Sequence, residues 1–217
     1  MANERDFTPA FPLLWAYDLI VAADTRERTW RATFLRHLNP QPSDIIADIG
    51  CGTGSFLTLL GRTAKCEKLI GVDPDDRILR RARRKLEAAG IVVTLERGYL
   101  RDVAVLLAGA GVNKIASSLV FHHLPLAKKR EGLSSIYSAL TPGGELHVAD
   151  FGLQRTRLMR SLFRIVQSVD GYENTQPNAD GILLSLMKEA GFVQVQETAV
   201  IPTLSGSISL YQAVRPT

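Results

Sequence analysis

The chain has 217 residues, which suits one compact domain, and 46% of them are hydrophobic, enough to bury a sizeable core. This composition excludes a disordered chain, and the net charge of +4 is smaller than the basic excess of most dedicated nucleic-acid binders. Neither Cys51 nor Cys66 belongs to a C-x-x-C or Cys/His cluster with metal-ligand spacing, so we expect no metal site and a reducing compartment.

No stretch of the sequence reaches the roughly 18 apolar residues of a transmembrane helix. The first residues, MANERDF, carry acids where a signal peptide would have a basic segment and then an apolar run. We therefore predict a soluble cytoplasmic protein, and we expect a monomer or a homodimer.

Two helices are predicted at the start of the chain. Residues 11 to 23, FPLLWAYDLIVAA, are apolar and aromatic apart from one aspartate, and TRERTWRATFLRHL, residues 25 to 38, has apolar side chains at helical spacing. We expect residues 1–38 to form a helical lid, with Trp15 and Tyr17 facing inward over a small-molecule site. An interfacial membrane anchor is the alternative for the first of these helices.

Strands and helices alternate over the next part of the chain. The turn NPQPSD leads into DIIADIG, a short apolar run of strand length. The patterns predict strands at residues 44–50, 68–73, 91–98, 114–121 and 145–151, and helices at 55–63, 75–90 and 128–140. Apolar strands separated by helices indicate a parallel sheet with right-handed crossovers.

The tail of the chain is predicted to add two helices and two antiparallel strands. Residues 155–169 and 178–192 have helical patterns, the second with Asn178 or Asp180 as its N-cap. The β-rich runs VQVQETAVI and SISLYQAV follow, joined by a short turn that favours antiparallel pairing. No internal repeat or low-complexity tract divides the chain, so we expect residues 1–217 to form a single domain.

Residues suited to ligand binding follow all five central strands. These segments are DIGCGTG, GVDPDD, RGYLRD, SSLVFHHL and ADFG. Ligands of open α/β sheets bind beyond the carboxyl ends of the strands, so the five segments should converge on one cleft. The glycines of DIGCGTG let the backbone approach a ligand closely, and the turn opens a helix whose free N–H groups can meet a carboxylate or phosphate.

Two acids near the glycine loop have separate predicted roles. Asp73, at the end of the second strand, is placed to accept hydrogen bonds from the two hydroxyls of a ribose. Asp48 precedes the glycines in a nearly buried position, where its charge needs loop N–H groups or a cationic ligand. The third glycine, Gly54, comes one residue earlier than in the dinucleotide fingerprint, which disfavours a nicotinamide oxidoreductase.

These motifs together resemble the class I S-adenosylmethionine-dependent methyltransferases. The resemblance rests on DIGCGTG, GVD at 71–73, SSLVFHHL at 117–124 and LTPGGELHVADFG at 140–152, four motifs in order at strand ends. Residues 17–19, YDL, and Trp30-Arg31 are similar to the entry segment of ubiquinone/menaquinone C-methyltransferases. The fold implied is a Rossmann-like three-layer α/β/α sandwich, whose seven-stranded, mostly parallel sheet has an antiparallel C-terminal strand.

The resemblance also assigns parts of the chain to the cofactor, S-adenosylmethionine, which would leave as S-adenosylhomocysteine. Residues 39–152 would be the cofactor-binding core, and residues 153–217 would supply lid helices and the C-terminal strands. The glycine loop would wrap the methionine part, Asp73 would hold the ribose, and residues after the third strand would flank the adenine. The implied cofactor-binding residues are Tyr17, Asp48, Gly50, Cys51, Gly52, Thr53, Gly54, Asp73, Pro74, Tyr99, Leu100, Ser118 and Leu119.

The sequence departs from the family at the end of the third strand. Relatives often have Gly-Asp there, whereas this chain has Gly98-Tyr99, so the acid that would contact the adenine amino group is missing unless Asp102 replaces it. The Asn-Pro-Pro-Tyr motif of enzymes that methylate adenine or glutamine amino groups is also absent, and SSLVFHHL stands in its place. Those acceptors are therefore disfavoured.

Two residues are predicted to take part in catalysis. Because an imidazole ordinarily titrates near neutrality, His122 is a candidate general base beside the methyl donor, or else a loop residue that caps the following helix. Asp150, at the end of the fifth strand, is a candidate for contact with the acceptor. The methyl sulfonium is already electrophilic, so the protein chiefly has to align the acceptor and exclude water.

The resulting hypothesis is a methyltransferase that acts by in-line displacement on carbon or oxygen of a small organic acceptor. The alternatives are methylation of RNA or a phospholipid, for which the arginine-rich helix at residues 75–90 would be the contact, and a cofactor-binding partner protein without activity. We favour a solvated surface for that helix, with Ile78, Leu79, Ala82 and Leu86 as its buried stripe.

Overall fold

A computed structural model describes residues 27–217 of the chain. The described strands are β1 (Ile45–Ile49), β2 (Lys68–Asp73), β3 (Thr94–Arg97), β4 (Lys114–Ser118), β5 (Glu145–Phe151), β6 (Val193–Thr203) and β7 (Gly206–Val214). The described α-helices are α1 (Glu27–Leu38), α2 (Ser55–Thr63), α3 (Asp76–Ala88), α4 (Val103–Leu106), α5 (Leu126–Ala139), α6 (Arg157–Asp170), α7 (Tyr172–Ala179) and α8 (Leu183–Glu189). Short 3₁₀ helices at Leu100–Asp102 and Phe121–His123 follow β3 and β4.

The seven strands form one sheet in the order β3-β2-β1-β4-β5-β7-β6. Neighbouring strands from β3 to β5 pair parallel, whereas β7 pairs antiparallel with both β5 and β6. The predicted Rossmann-like fold is confirmed, including its antiparallel C-terminal strand. The strand order reverses between β1 and β4, and in such sheets the ligand crevice lies at that point.

Helices cover both faces of the sheet because side chains alternate along each buried strand. One face packs against α4, α5 and α8 around a cluster that includes Ile49, Ile115, Leu133 and Leu186. The other packs against α1, α2, α3 and α6, where the apolar cluster includes Trp30, Phe34, Phe56, Leu79 and Phe163. On α3 the predicted buried stripe holds, since Leu79, Ala82 and Leu86 are buried and Ile78 is half-buried.

Three predicted elements differ from the observed ones. β3 begins at Thr94, and Val92 is exposed in the preceding loop. β4 ends at Ser118 because Leu119 adopts a positive φ of 56°, which takes the chain out of the sheet. The single helix predicted over 178–192 is wrong: α7 ends at Ala179, and α8 begins at Leu183.

Helix α7 escaped the sequence patterns because it has few apolar residues and contains Pro177. Contacts with other elements hold it in place. Asn178 is a buried residue in its last turn, so the prediction of Asn178 as a helix N-cap is wrong. The predicted helix over residues 11 to 23, and with it Tyr17, lies outside the described residues. None of the helices between residues 27 and 217 is long and apolar enough to cross a membrane.

Candidate functional site

The glycine loop after β1 is folded tightly by its own glycines. Gly50, Gly52 and Gly54 have φ values of 73°, 53° and 74°, a region that side chains with a β-carbon rarely adopt. The backbone N–H groups of Gly50 and Cys51 both donate to the Val72 carbonyl of β2, at 2.8 and 3.0 Å. The loop therefore turns back over the end of the sheet before α2 begins at Ser55.

Asp73 joins the ends of three strands. Its carboxylate accepts the N–H groups of Gly52, at 3.0 Å, and of Asp75, also at 3.0 Å. Its carbonyl accepts the N–H of Gly98, which follows β3, at 3.2 Å. Burial raises the pKa of Asp73, and the two backbone donors oppose that effect. The glycine loop thus holds in place the Asp73 carboxylate, which is predicted to bind the ribose.

The loop after β4 is held by Asp150, the penultimate residue of β5. Asp150 is fully buried, and its Oδ2 accepts the N–H groups of Val120 and Phe121 at 3.0 and 2.7 Å. Its Oδ1 accepts the Phe151 N–H and lies 2.7 Å from His122 Nδ1. Because four polar contacts occupy this carboxylate, Asp150 orders the loop that carries the histidines.

His122 and Asp150 form a buried pair. Only 2% of His122 is exposed, and burial together with His123 lowers its pKa despite the neighbouring carboxylates. Burial raises the pKa of Asp150, but His122 and Lys129 lower it by more. The pKa of Asp150 therefore lies below its ordinary value. A neutral imidazole therefore donates from Nδ1 to an ionised carboxylate, which leaves Nε2 as a proton acceptor.

Lys129 is a buried cation that the sequence predictions missed. It is 0% exposed, and its Nζ donates to the carbonyls of Phe121 and Asn174 and to Asn178 Oδ1, at 2.6, 2.9 and 2.7 Å. Asn178 in turn donates to the Phe151 carbonyl at 3.0 Å. Lys129 therefore ties helix α7 to the histidine-bearing loop and to the end of β5.

The glycine loop and the loop after β4 contact one another. A β-carbon built on Gly50 would lie 2.2 Å from Val120 Cγ2, closer than atoms can approach. Leu119, the predicted backbone contact for the cofactor, donates its N–H to Ala149 of β5 at 2.8 Å. Contacts thus run from β3 through β2, β1 and β4 to β5, and the five predicted strand ends lie at one edge of the sheet.

We expect Gly50→Ala to destabilise the protein more than Gly52→Ala. Both substitutions meet a positive φ, but a β-carbon at Gly52 has no atom within 4 Å, whereas at Gly50 it strikes Val120. The steric contact should add about 2 kcal/mol to the loss at Gly50. Urea denaturation of the two variants measures the difference. The double variant Gly50→Ala/Val120→Ala should recover part of it, and equal losses in the two single variants would contradict the packing described.

Asp48 is a buried acid without a hydrogen-bond partner among residues 27–217. It is 1% exposed, and neither carboxylate oxygen is satisfied. Burial raises its pKa to about 7; nearby Arg31 lowers that pKa and Asp73 raises it. A partly protonated acid beside the glycine loop suits a position that a cationic ligand would complete.

We expect Asp48→Asn to stabilise the protein progressively as the pH rises. The folded-state pKa of Asp48 lies above its unfolded value, so folding becomes less favourable as pH rises between the two, and the cost is complete above pH 7. Between about pH 5.5 and 8, the gap in unfolding free energy should widen by about 2 kcal/mol in favour of the variant. Urea denaturation across this range tests it, and a gap independent of pH would contradict the raised pKa of the buried Asp48.

Comparison with known proteins bears on this geometry. Residues 46–144, which contain β1 to α5 and their loops, match the family model described as a methyltransferase domain. The chain is 25% identical over 197 residues to the ubiquinone/menaquinone biosynthesis C-methyltransferase of Shewanella pealeana, covering 79% of this chain and 75% of that protein. Residues 46–144 are therefore similar to a methyltransferase domain, and these matches support a class I S-adenosylmethionine-dependent methyltransferase.

Other relatives match over shorter segments. The carboxy-S-adenosyl-L-methionine synthase of Trichodesmium erythraeum is 32% identical over 111 residues, 51% of this chain and 43% of that one. The demethylmenaquinone methyltransferase of Bacteroides fragilis is 25% identical over 143 residues, 66% of this chain and 58% of that protein. This chain thus spans about half the length of these two relatives.

The fold is shared with solved methyltransferases. Magnesium protoporphyrin IX methyltransferase from Synechocystis PCC 6803, with bound S-adenosylhomocysteine, superimposes with a TM-score of 0.68 at 17% identity. The match covers 97% of this chain and 91% of that protein. At this identity the likeness concerns the fold.

The segment after β3 departs from the Gly-Asp pattern of the family that the chain resembles. The Tyr99 N–H donates to Asp102 Oδ2 at 3.0 Å, so the acid considered as a replacement at the adenine caps the 3₁₀ helix. The Leu100 side chain packs onto Gly132 of α5. The adenine contacts of Tyr99 and Leu100 therefore stay predictions.

The remaining predicted cofactor residues line the same edge. Cys51 is buried, which raises the pKa of its thiol, and Thr53 Oγ1 lies 3.4 Å from Ser55 Oγ. Pro74 accepts Arg97 Nε through its carbonyl at 3.3 Å, and Ser118 ends β4 half-buried. Their cofactor roles stay predictions.

Proposed function

We propose that this chain transfers the methyl group of S-adenosylmethionine to an oxygen or carbon atom of a small organic acceptor. The observation that carries the proposal is the set of contacts joining the ends of β1 to β5, with Gly50 against Val120 at its centre. This edge lies where the strand order reverses, the usual ligand position in such a sheet.

The cofactor site we propose uses the loops after β1, β2 and β4. Asp73 would accept hydrogen bonds from the ribose hydroxyls, since its carboxylate is already oriented by Gly52 and Asp75. Asp48 would ionise when the cationic cofactor binds, because a nearby positive charge favours the carboxylate. The residues fit this group: a ribose acceptor, a buried acid with no hydrogen-bond partner within residues 27–217, and glycines that let a ligand approach the backbone.

Methyl transfer requires the acceptor's electron pair to form a bond with the methyl carbon as the sulfur–carbon bond breaks toward sulfur. The product is S-adenosylhomocysteine. For an oxygen acceptor, His122 Nε2 is the proposed proton acceptor, and Asp150 is a positioning residue that fixes the tautomer of His122 through Nδ1. Asp150 is fully buried, so we propose this positioning role for it in place of contact with the acceptor.

The proposed acceptor class is a small ring compound. Its support is the printed function of relatives, among them a demethylmenaquinone methyltransferase and a ubiquinone/menaquinone biosynthesis C-methyltransferase. The missing Asn-Pro-Pro-Tyr motif disfavours amino acceptors such as adenine.

The test begins with calorimetric titration of S-adenosylmethionine and of NADH into the purified protein. We expect one S-adenosylmethionine bound per chain and no NADH. Incubation with a panel of phenols, quinols and carboxylic acids should then release S-adenosylhomocysteine, detected by mass spectrometry. Absence of S-adenosylmethionine binding at millimolar cofactor would overturn the proposal, and binding without any turnover would favour the non-catalytic alternative.

A further inference from the structure

Three potential metal ligands meet beside the loop after β4. His122 and His123 lie in the 3₁₀ helix there, and Asp170 is the last residue of α6. One ligand atom from each residue lies within 4.8 Å of those of the other two. His122 Nε2 is 3.6 Å from Asp170 Oδ2, and His123 Nδ1 is 3.3 Å from Asp170 Oδ1.

The two Asp170 distances are close to the separation of ligands that share an ion. Charge-assisted hydrogen bonds from nitrogen to carboxylate oxygen measure about 2.7–2.9 Å, as His122 Nδ1 and Asp150 do at 2.7 Å. Two ligands of a tetrahedral ion, each about 2.0–2.1 Å from the metal, lie roughly 3.3–3.4 Å apart. The contacts of Asp170 fit the second geometry better than the first.

Asp150 prepares His122 for such a role. Its carboxylate accepts the three backbone N–H groups of Val120, Phe121 and Phe151, so the remaining contact requires His122 to donate from Nδ1. The Nε2 lone pair is then directed away from Asp150, and the Asp170 carboxylate lies 3.6 Å from Nε2. A carboxylate behind a histidine is the usual support of a metal-bound imidazole.

A bound cation would also compensate the nearly buried negative charge of Asp170. Its side chain is 7% exposed, and within residues 27–217 its ion-pair contacts are with the two histidines and with no lysine or arginine. His123 is 28% exposed on its side chain, so the cluster keeps one open side.

We propose that His122, His123 and Asp170 bind a divalent transition-metal ion, with Zn²⁺ as the representative, and leave one position open for an oxygen atom of the acceptor. Two imidazoles and one carboxylate with an open position form a known type of catalytic zinc site. The binding of an acceptor oxygen at the open position rests on the proposed function, whereas the metal site itself does not. With the ion bound, Nε2 of His122 would be a ligand and would no longer accept the acceptor's proton; the ion would instead acidify an acceptor hydroxyl, and its proton would pass to solvent.

The inference reverses the sequence-based expectation of no metal site. That expectation rested on the spacing of Cys and His residues along the sequence, which cannot show that Asp170 lies beside the two histidines in the fold. The acceptors favoured by an ion are those with a hydroxyl next to a second oxygen, such as hydroxy acids or catechols, because both oxygens can approach it.

Titration of Co²⁺ into tag-free, chelator-treated protein tests the site, since cobalt in such a site has visible absorption bands. We expect one Co²⁺ per chain, displaced by Zn²⁺, and a higher melting temperature with Zn²⁺. Asp170→Asn and His123→Ala should each weaken Co²⁺ binding at least tenfold. The matched control is Glu173→Gln, a nearby exposed acid, which should bind as the parent does.

Several outcomes separate the two proposals. Circular dichroism confirms folding of the variants, and His123→Ala serves if Asp170→Asn does not fold, because His123 is partly exposed. Lack of cobalt bands in the parent, or unchanged affinity in both folded ligand variants, overturns the metal site. Titration of S-adenosylmethionine into metal-free protein reports on the proposed function alone, so metal binding without cofactor binding would retain the site and reject the methyltransferase proposal.

Discussion

Asp73→Ala is expected to weaken S-adenosylmethionine binding by roughly 10³-fold. Hydrogen bonds to a charged acceptor contribute about 1.5–3 kcal/mol each, and a ribose offers two hydroxyls. The substitution also removes the acceptor of the Gly52 N–H, so the glycine loop loses a contact that orients it. Isothermal titration calorimetry at fixed pH measures the change in affinity.

Asp76→Ala is the matched control for this prediction. Asp76 lies three residues farther along the chain, half of its side chain is exposed, and it pairs with Arg97 on the surface. Because an exposed ion pair contributes little, the control should bind the cofactor as the parent does. Equal affinities in the Asp73 and Asp76 variants would show that the ribose is held elsewhere.

Lys129→Met is expected to cost about 5 kcal/mol of unfolding free energy. Methionine retains the length of the side chain but leaves two buried acceptors, at Phe121 and Asn178, and a partly buried one, at Asn174, without their donor. Each unsatisfied group costs about 1–3 kcal/mol. A chain of this size should lose roughly 10–20 °C in melting temperature, which calorimetry or circular dichroism can measure.

The neighbouring Lys128→Met is the control. Lys128 is on the surface and pairs with Glu131 at 2.8 Å, so its loss should change stability by less than about 0.5 kcal/mol. Burial lowers the pKa of Lys129 to about 8, which leaves the side chain charged at neutral pH. If both variants unfold at the same urea concentration, Lys129 does not contribute to the unfolding free energy as its contacts indicate.

The contrast between these lysines shows what a sequence pattern can reveal. Lys129 lies four residues before Leu133 and seven before Ile136, on the buried face of α5, while Lys128 faces solvent. The same spacing places Asp170 after Phe163 and Val166 on the buried face of α6. The sequence pattern could therefore have predicted that Lys129 and Asp170 are buried. It could not have predicted their partners, because those partners come from other elements.

Residues that interact along the chain were predicted correctly. The bounds of α2, β2 and β5 match the predicted segments, and the glycine loop, Asp73 and the loop after β4 meet at one sheet edge as expected. Periodicity and turn chemistry act over a few residues, and parallel strands bring their carboxyl ends together in any such sheet. Helix α7 was missed because its sequence has few apolar residues, and contacts from other elements such as Lys129 help to hold it.

The sequence by itself determined the fold class, the resemblance to methyltransferases and the segments that form the site, since these depend on local patterns and on motifs in fixed order. Only the tertiary structure decided what each polar side chain does. It surrounds Asp150 with three backbone donors and His122, leaves Asp48 unpartnered among the described residues, and brings Asp170 to the two histidines. Hydrogen bonds and charges act over a few ångströms in space, and residues from separate elements reach that distance only when the chain is folded.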